Sequence, residues 1–495
     1  MSTYYRFRSA DRLLGRAATE NSPARSGELD ELTVYFASPQ ELNDPLEGHR
    51  ETFFQGDLVV WRNLLKHYAL VLFSSTIDVY VNGGDGEITY INLRPESYGA
   101  EPRGVLEGIL DAVKRDEGLN DYFSAIVDAS RKVSRYELIV HLMTIHNIVL
   151  MHVFNGISTR YQLSDSHRYM LVKDSFYRFA GQRAAEIRAA GGNPDLNGYK
   201  EIKSKIKQQA LRGNALRDKP LSAGQMRVFV NFSEEFAQQL DYLIYPHWYV
   251  VCFMESGSNP AIWGSYGDNH KGICLMYESQ LHRGVETLRF QRLPPDFVKA
   301  FNYGRPDDQW RLDMECQMPL MKVRYDSEYT TANFFTSLNN EQKEWALSYW
   351  YSEGERKSQC GEWLANADGQ RYASYRAMYE KSVTTKTAHW GNETECRIIM
   401  AGYPFEREER TVGYNFFDLK GLIFGINTSD EVKVRAIRKI ADHCKVYKRS
   451  DFKFYQARYD DNYQKIEHDH LSYITFEADG SLNFDPNIAD RPLKL

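Results

Sequence analysis

Strand-like segments stand at the start, in the middle and towards the end of this chain, and a long helix-patterned block separates the first group from the second. That arrangement points to a sheet core assembled from distant segments and interrupted by helical insertions. Tyr4 to Arg8 reads as a short strand and Asp11 to Arg16 as a helix start. Leu32 to Ala37 (LTVYFA) is a second strand, closed by Pro39. Leu42 to Glu47 (LNDPLE) is a turn or a first helical turn, with Asn43 and Asp44 as capping residues before Pro45. Leu70 to Ser74 reads as a third strand or a helix end. Strand signals return at Tyr249 to Met254, Gly272 to Tyr277, Met321 to Tyr325, Cys396 to Met400 and Gly421 to Phe424.

The expected fold class is therefore α+β, a mixed or antiparallel sheet with large helical insertions. The divisions follow the pattern: 1–102 for the first part of the core, 103–240 for a helical insertion, and 241–330 for central strands. A smaller helical insertion takes 331–385, the E-x-E strand region 386–430, and a C-terminal helix and tail 431–495. Glu467-His468-Asp469-His470 reads as exposed tail.

The most apolar stretch, Leu138 to Phe154, contains His141, His146, Asn147 and His152, which argues against a bilayer span and for a buried helix. Ser134 and Glu137 give it a capping-box start. Its histidines are five and six residues apart, not the four that places helix ligands on one metal. The six cysteines include no C-x-x-C pair, so neither a zinc site nor a disulfide scaffold is expected. No apolar signal stretch opens the chain, and a cytoplasmic protein with reduced thiols is the expectation. The formal net charge of -6 excludes a global basic field for nucleic acid or membrane. The basic run Lys200 to Lys219 reads as a solvated helix face.

Several motifs carry a resemblance. YRFRS, VYFASPQELNDPLE, the block with Trp263, Tyr266 and Gly272, and the block with Trp390, Glu393, Glu395 and Arg397 occur in that order. Together they resemble the bacterial domain-of-unknown-function family 2971, a likeness that implies toxin or phage-defence settings and no defined chemistry. More distantly, the layout is similar to ADP-ribosyltransferases. Those enzymes place Arg or His on a first strand, a Ser or Tyr motif after a second, and a Glu, often in E-x-E, on a later one. The corresponding residues here are Arg6 and Arg8, Tyr35 and Ser38, and Glu393 with Glu395. The S-T-S triplet of the middle motif is missing; Ser74-Ser75-Thr76 falls later.

The resemblance implies NAD as substrate and a transferred ADP-ribose. A carboxylate beside the ribose stabilises the cationic sugar that forms as nicotinamide leaves, the role of Glu395. Glu393, two residues away, would share its strand face and activate an acceptor. Arg6 and Arg8 would hold the pyrophosphate, and Tyr35, Trp263 or Tyr266 would stack on a ring. The acceptor would be a protein, a nucleic acid or water, and no metal is required. Structural roles stand beside these: Glu393 and Glu395 as partners for Arg397 and Lys386, Trp263 and Tyr266 as core or cleft-wall rings, Ser38 as a cap. Two other functions fit the same residues. One is a metal-dependent nuclease built on Asp44, Glu47, Glu393 and Glu395. The other is a non-catalytic sensor or interaction module that works through the 103–236 helices.

Overall fold

The computed structural model describes residues 2–16, 18, 23–44, 46–48, 50–88, 90–161, 173–191, 196–291, 315–326, 331–338, 343–365, 369–402 and 404–483. The chain divides into two compact units, each with its own core. A sheet unit comprises Met1–Gly48, His247–Glu328 and Val383–Leu495, and a helical unit comprises His49–Pro246 and Tyr329–Ser382.

The sheet unit is built on eight strands. These are β1 (Thr3–Arg8), β3 (His247–Met254), β4 (Ile273–Glu278), β6 (Met321–Lys322), β7 (Glu395–Gly402), β9 (Leu419–Phe424), β10 (Lys453–Asp460) and β11 (Lys465–His470). Two strands of a second sheet complete the numbering that matters here, β2 (Thr33–Tyr35) and β8 (Thr411–Tyr414), with β5 (Val285–Gln291) on the other side of β8. The large sheet runs β6-β7-β3-β1-β4-β9-β10-β11. All of its pairings are antiparallel except β9 with β10, so the α+β class and the mixed sheet hold.

Strand alternation gives the sheet two apolar faces. Tyr4, Phe253, Leu275, Ile398 and Leu422 pack one face, while Phe7, Met254, Cys274 and Ile423 pack the other. Gly272 sits where a Cβ would lie 2.3 Å from the Arg8 carbonyl oxygen, so the entry to β4 accepts only glycine at that point. The expected exposed tail at 467–470 is instead the end of β11, paired with β10. His468 lies within β11 with Nε2 3.0 Å from the Gly257 carbonyl oxygen.

The helical unit contains α1 (Leu58–Ile77), α2 (Ala100–Arg115), α3 (Glu117–Asp128), α4 (Arg135–Tyr161), α5 (Lys173–Ala189), α6 (Leu196–Ala215) and α7 (Phe232–Gln239). Leu70 to Ser74 lies in the C-terminal half of α1, so of its two readings the helix holds and the strand does not. That helix is apolar nearly all round and packs on α2, α3 and α4, so this unit starts at His49 rather than at 103. Among the described helices, Arg135–Ser158 is long and apolar enough to cross a membrane by length and composition, and 83% of that window is buried within the protein. Its start carries the expected box, with the Ser134 N–H donating to Glu137 at 3.2 Å and the Glu137 N–H to Ser134 Oγ at 3.2 Å. Its histidines bond Tyr122, Tyr68 and Asp116 in turn, each as a separate local contact. Lys203 and Lys207 of α6 both close on Glu234.

Candidate functional site

β1 and β3 are neighbours in the sheet, yet Tyr5 opposite Met254 is their single register pair. Beyond it Arg6–Arg8 and Val250–Phe253 diverge, and the opening between two central strands is a cavity of about 660 Å³ lined by both. Glu395 lies opposite Met254, at the apex of this wedge. Ala37 bridges Val250, four residues further along β3 and so roughly 13 Å away at the strand rise. The volume falls in the range of small-molecule and cofactor sites.

Arg6, Arg8, Tyr35, Tyr266 and Glu395 all line this cavity, and Asn43 and Lys386 join them. Arg6 and Arg8 share a strand face as expected, and both donate to one carboxylate, Glu28, at 2.7 and 3.0 Å. Two cations against one anion leave positive charge over. Arg6 is only 3% exposed, and its Nη2 has no hydrogen-bond partner among the described residues. A buried guanidinium nitrogen left open towards a cavity is the kind of group that an anionic ligand satisfies.

Glu395 is 2% exposed and accepts from Arg397 Nε at 2.6 Å and from Lys386 Nζ at 2.6 Å. Burial alone would raise its pKa, but Arg397 and then Lys386 outweigh it and hold the carboxyl at about 2. Arg397 turns its other edge on Glu47, with Nη1 and Nη2 at 2.6 and 3.0 Å from the two carboxylate oxygens. The LNDPLE segment and the E-x-E segment are thereby joined across 350 residues. Lys386 also donates to Glu393 at 2.8 Å, and its ammonium lies over the Trp390 ring. Burial would lower the Lys386 pKa, yet Glu395 and Glu393 keep it above the usual lysine range. The Cys252 thiol, across the ladder from Arg397, is pushed up by burial and then by Glu395.

Several expectations need correction. Glu393 and Glu395 do not share a strand. Glu393 ends a short 3-10 helix, Thr394 takes a left-handed φ of 44°, and only Glu395 opens β7. Glu393 is not on the cavity wall. It sits behind Tyr266, whose hydroxyl donates to it at 2.5 Å. Glu395 and Arg397 pair with Met254 and Cys252, on the Phe7 side of the sheet, whereas Arg6 and Arg8 follow Tyr4 to the opposite side. They meet at the cavity because the sheet is split there, not because they face each other.

Trp263 is fully buried, edge-on to Phe7 at 4.9 Å with its N–H on the Gly257 carbonyl, and belongs to the core rather than to the cavity. Ser38 caps a 3-10 turn with Glu41 and does not reach the cavity. Pro45 lies outside the described residues. Ser74, Ser75 and Thr76 belong to α1, in the helical unit. The three carboxylates Glu47, Glu393 and Glu395 do converge, but around Lys386 and Arg397; Asp44 instead accepts from the Leu46 N–H. Among the described residues no group of three or more His, Cys, Asp or Glu side chains is arranged to hold a metal ion. Sequence reasoning missed Arg12, Arg25 and Arg407, which also line the cavity. Scattered arginines on separate loops carry no spacing signal.

Residues 262–398 match the model of the family described as "Protein of unknown function (DUF2971)". The chain carries a DUF2971 region. That region contains the Trp263 and the Glu395 blocks, and so both the apex carboxylate and the loop bearing Tyr266. No curated protein and no solved structure matches the chain.

Proposed function

We propose that the sheet unit is an NAD-consuming enzyme, an ADP-ribosyltransferase or an NAD glycohydrolase. The observation that carries this reading is a single cavity walled both by Arg6, with its unpartnered buried nitrogen, and by Glu395, held ionised at about 2. The wedge suits an elongated, doubly functional ligand. Its pyrophosphate would run along Arg6 and Arg8, and its nicotinamide ribose would sit at the apex against Glu395. Glu395 Oε2 takes Lys386 Nζ and Arg397 Nη2, whereas Oε1 takes Arg397 Nε, so Oε1 is the oxygen that would meet a ribose hydroxyl. As the bond from nicotinamide to ribose breaks, its electron pair leaves with nicotinamide, and the fixed carboxylate faces the charge left on the sugar. Tyr266, on the wall and bonded to Glu393, borders the place where an acceptor or water would approach. An effector role in toxin or phage-defence settings is part of the same proposal and comes from the family likeness.

The test is nicotinamide release from NAD by the purified chain and by Glu395→Gln. Release by the wild type, slowed roughly 100-fold or more in the variant with the fold retained, is the expected result. No release, or equal release by both proteins, would sink the reading.

A further inference from the structure

Near the wide end of the wedge, rings and guanidinium groups alternate. Arg407 lies over the Tyr35 ring at 5.3 Å, Arg410 lies over the same ring at 5.1 Å, and Arg410 also lies over Tyr249 at 5.0 Å. Phe405 continues the stack, 5.7 Å from Tyr249. The arrangement is locked from one side by Glu41. It accepts from the Tyr35 hydroxyl at 2.8 Å, from Arg410 Nη1 at 2.8 Å and from the Ser38 N–H at 2.8 Å. Burial alone would raise the Glu41 pKa, but the Ser38 N–H and Tyr35 hydroxyl outweigh it and hold it at about 2. The turn that carries the arginines is pinned as well, by the Arg410 N–H on the Glu406 carbonyl at 3.2 Å and the Thr411 N–H on the Glu408 carbonyl at 3.1 Å.

With Arg407 and Arg410 both packed on Tyr35, that ring is not the stacking surface expected of it. The outermost layer is Arg407, which is exposed and lines the cavity. A guanidinium plane held by a ring behind it presents a flat cationic face, which stacks on the π-face of a base. A lone exposed arginine would wander among rotamers; this one has a packed neighbour and a fixed turn.

We infer that Arg407, backed by Tyr35 and Arg410, is the platform for the purine base of the ligand. This rests on the dinucleotide reading of the same cavity and adds its direction: base at the Tyr35 end, reacting ribose at the Glu395 apex. Ala37, two residues after Tyr35, bridges Val250, whereas Glu395 lies opposite Met254, so the two subsites sit at opposite ends of one strand segment.

The experiment titrates the full chain with 1,N6-ethenoadenosine monophosphate, following its fluorescence, beside Arg407→Ala and Arg407→Lys. The wild type binds saturably. Both variants weaken binding by roughly tenfold or more, the lysine included because an ammonium offers no plane. Nicotinamide mononucleotide, which lacks the purine, binds all three proteins alike. An unchanged affinity in Arg407→Ala, or no binding of the fluorescent nucleotide to the wild type, overturns the platform. NAD turnover in the same preparations reports separately. Base binding that depends on Arg407 without any turnover would remove the catalytic reading and leave the platform. Turnover with an unaltered KM in Arg407→Ala would do the reverse.

Discussion

A guanidinium with no exposure has no water to solvate it, so Arg397 draws its stabilisation from Glu47, Glu395 and the Val383 carbonyl, 2.9 Å from Nη1. Removing it would leave Glu47, Glu393 and Glu395 with Lys386 as their remaining cation within this cluster. Arg397→Met should therefore cost about 3–5 kcal/mol, the scale of breaking a buried pair. Urea unfolding at neutral pH measures it, and a loss below ~1 kcal/mol would contradict the role given to the cluster. The sequence pointed to Arg397 and Lys386 as partners of the two glutamates, because they lie nearby in the chain. Glu47 was grouped with those glutamates only as a metal-binding carboxylate, and its pairing with Arg397, 350 residues away, carried no local signal. The shared strand face of Glu393 and Glu395 failed at one residue. Thr394 adopts a left-handed backbone without being glycine or asparagine, the types that signal such a position.

Among the elements, the buried helices set the response to acid. His67 on α1 and His141 and His146 on α4 are all buried, and burial first of all lowers their pKa from 6.5 to about 3, 3 and 4. The folded state thus holds fewer protons than the unfolded state below pH ~6.5, and stability is lost as pH falls through that value towards 4. Each histidine adds a slope of up to ~1.4 kcal/mol per pH unit in that window. Urea midpoints at pH 7 and pH 5 should differ clearly in the wild type and less in His141→Phe. Equal pH dependence in the two would count against a neutral His141. The capping box and the apolar length made α4 legible from sequence. α1 was not, because a helix buried on all sides loses its polar stripe and with it the 3.6-residue signal. β11 was missed for the opposite reason: Lys465, Glu467 and Asp469 are the charged dress of an edge strand, and they read as tail.

For the whole molecule, chain order decides how the parts come together. β1, β3 and β7 begin at residues 3, 247 and 395, so the central sheet closes only after very long loops do. The helical unit is rich in contacts between helices close in sequence, such as α3 with α5 and α2 with α4. Refolding should show amides of α1 to α4 protected before those of β1, β3 and β7, as read by pulsed hydrogen exchange; simultaneous protection would contradict it. The positions of β1, β2, β3, β4, β6, β7 and β9 were legible from the sequence; those of β5, β8, β10 and β11, and the sheet order, were not. β1 lies between β3 and β4, and the LTVYFA segment pairs with β8 in the second sheet. Only that order places Glu395 at the apex of a wedge opened by Arg6 and Arg8. The proposed function requires that this wedge hold a dinucleotide. The most direct measurement is calorimetric titration of NAD into the wild type, Arg6→Gln and Arg8→Gln, with folding of each checked by its melting transition. Saturable binding by the wild type, weakened roughly tenfold or more in both folded variants, is the predicted result. No binding by the wild type, or an affinity that neither substitution alters, would contradict it.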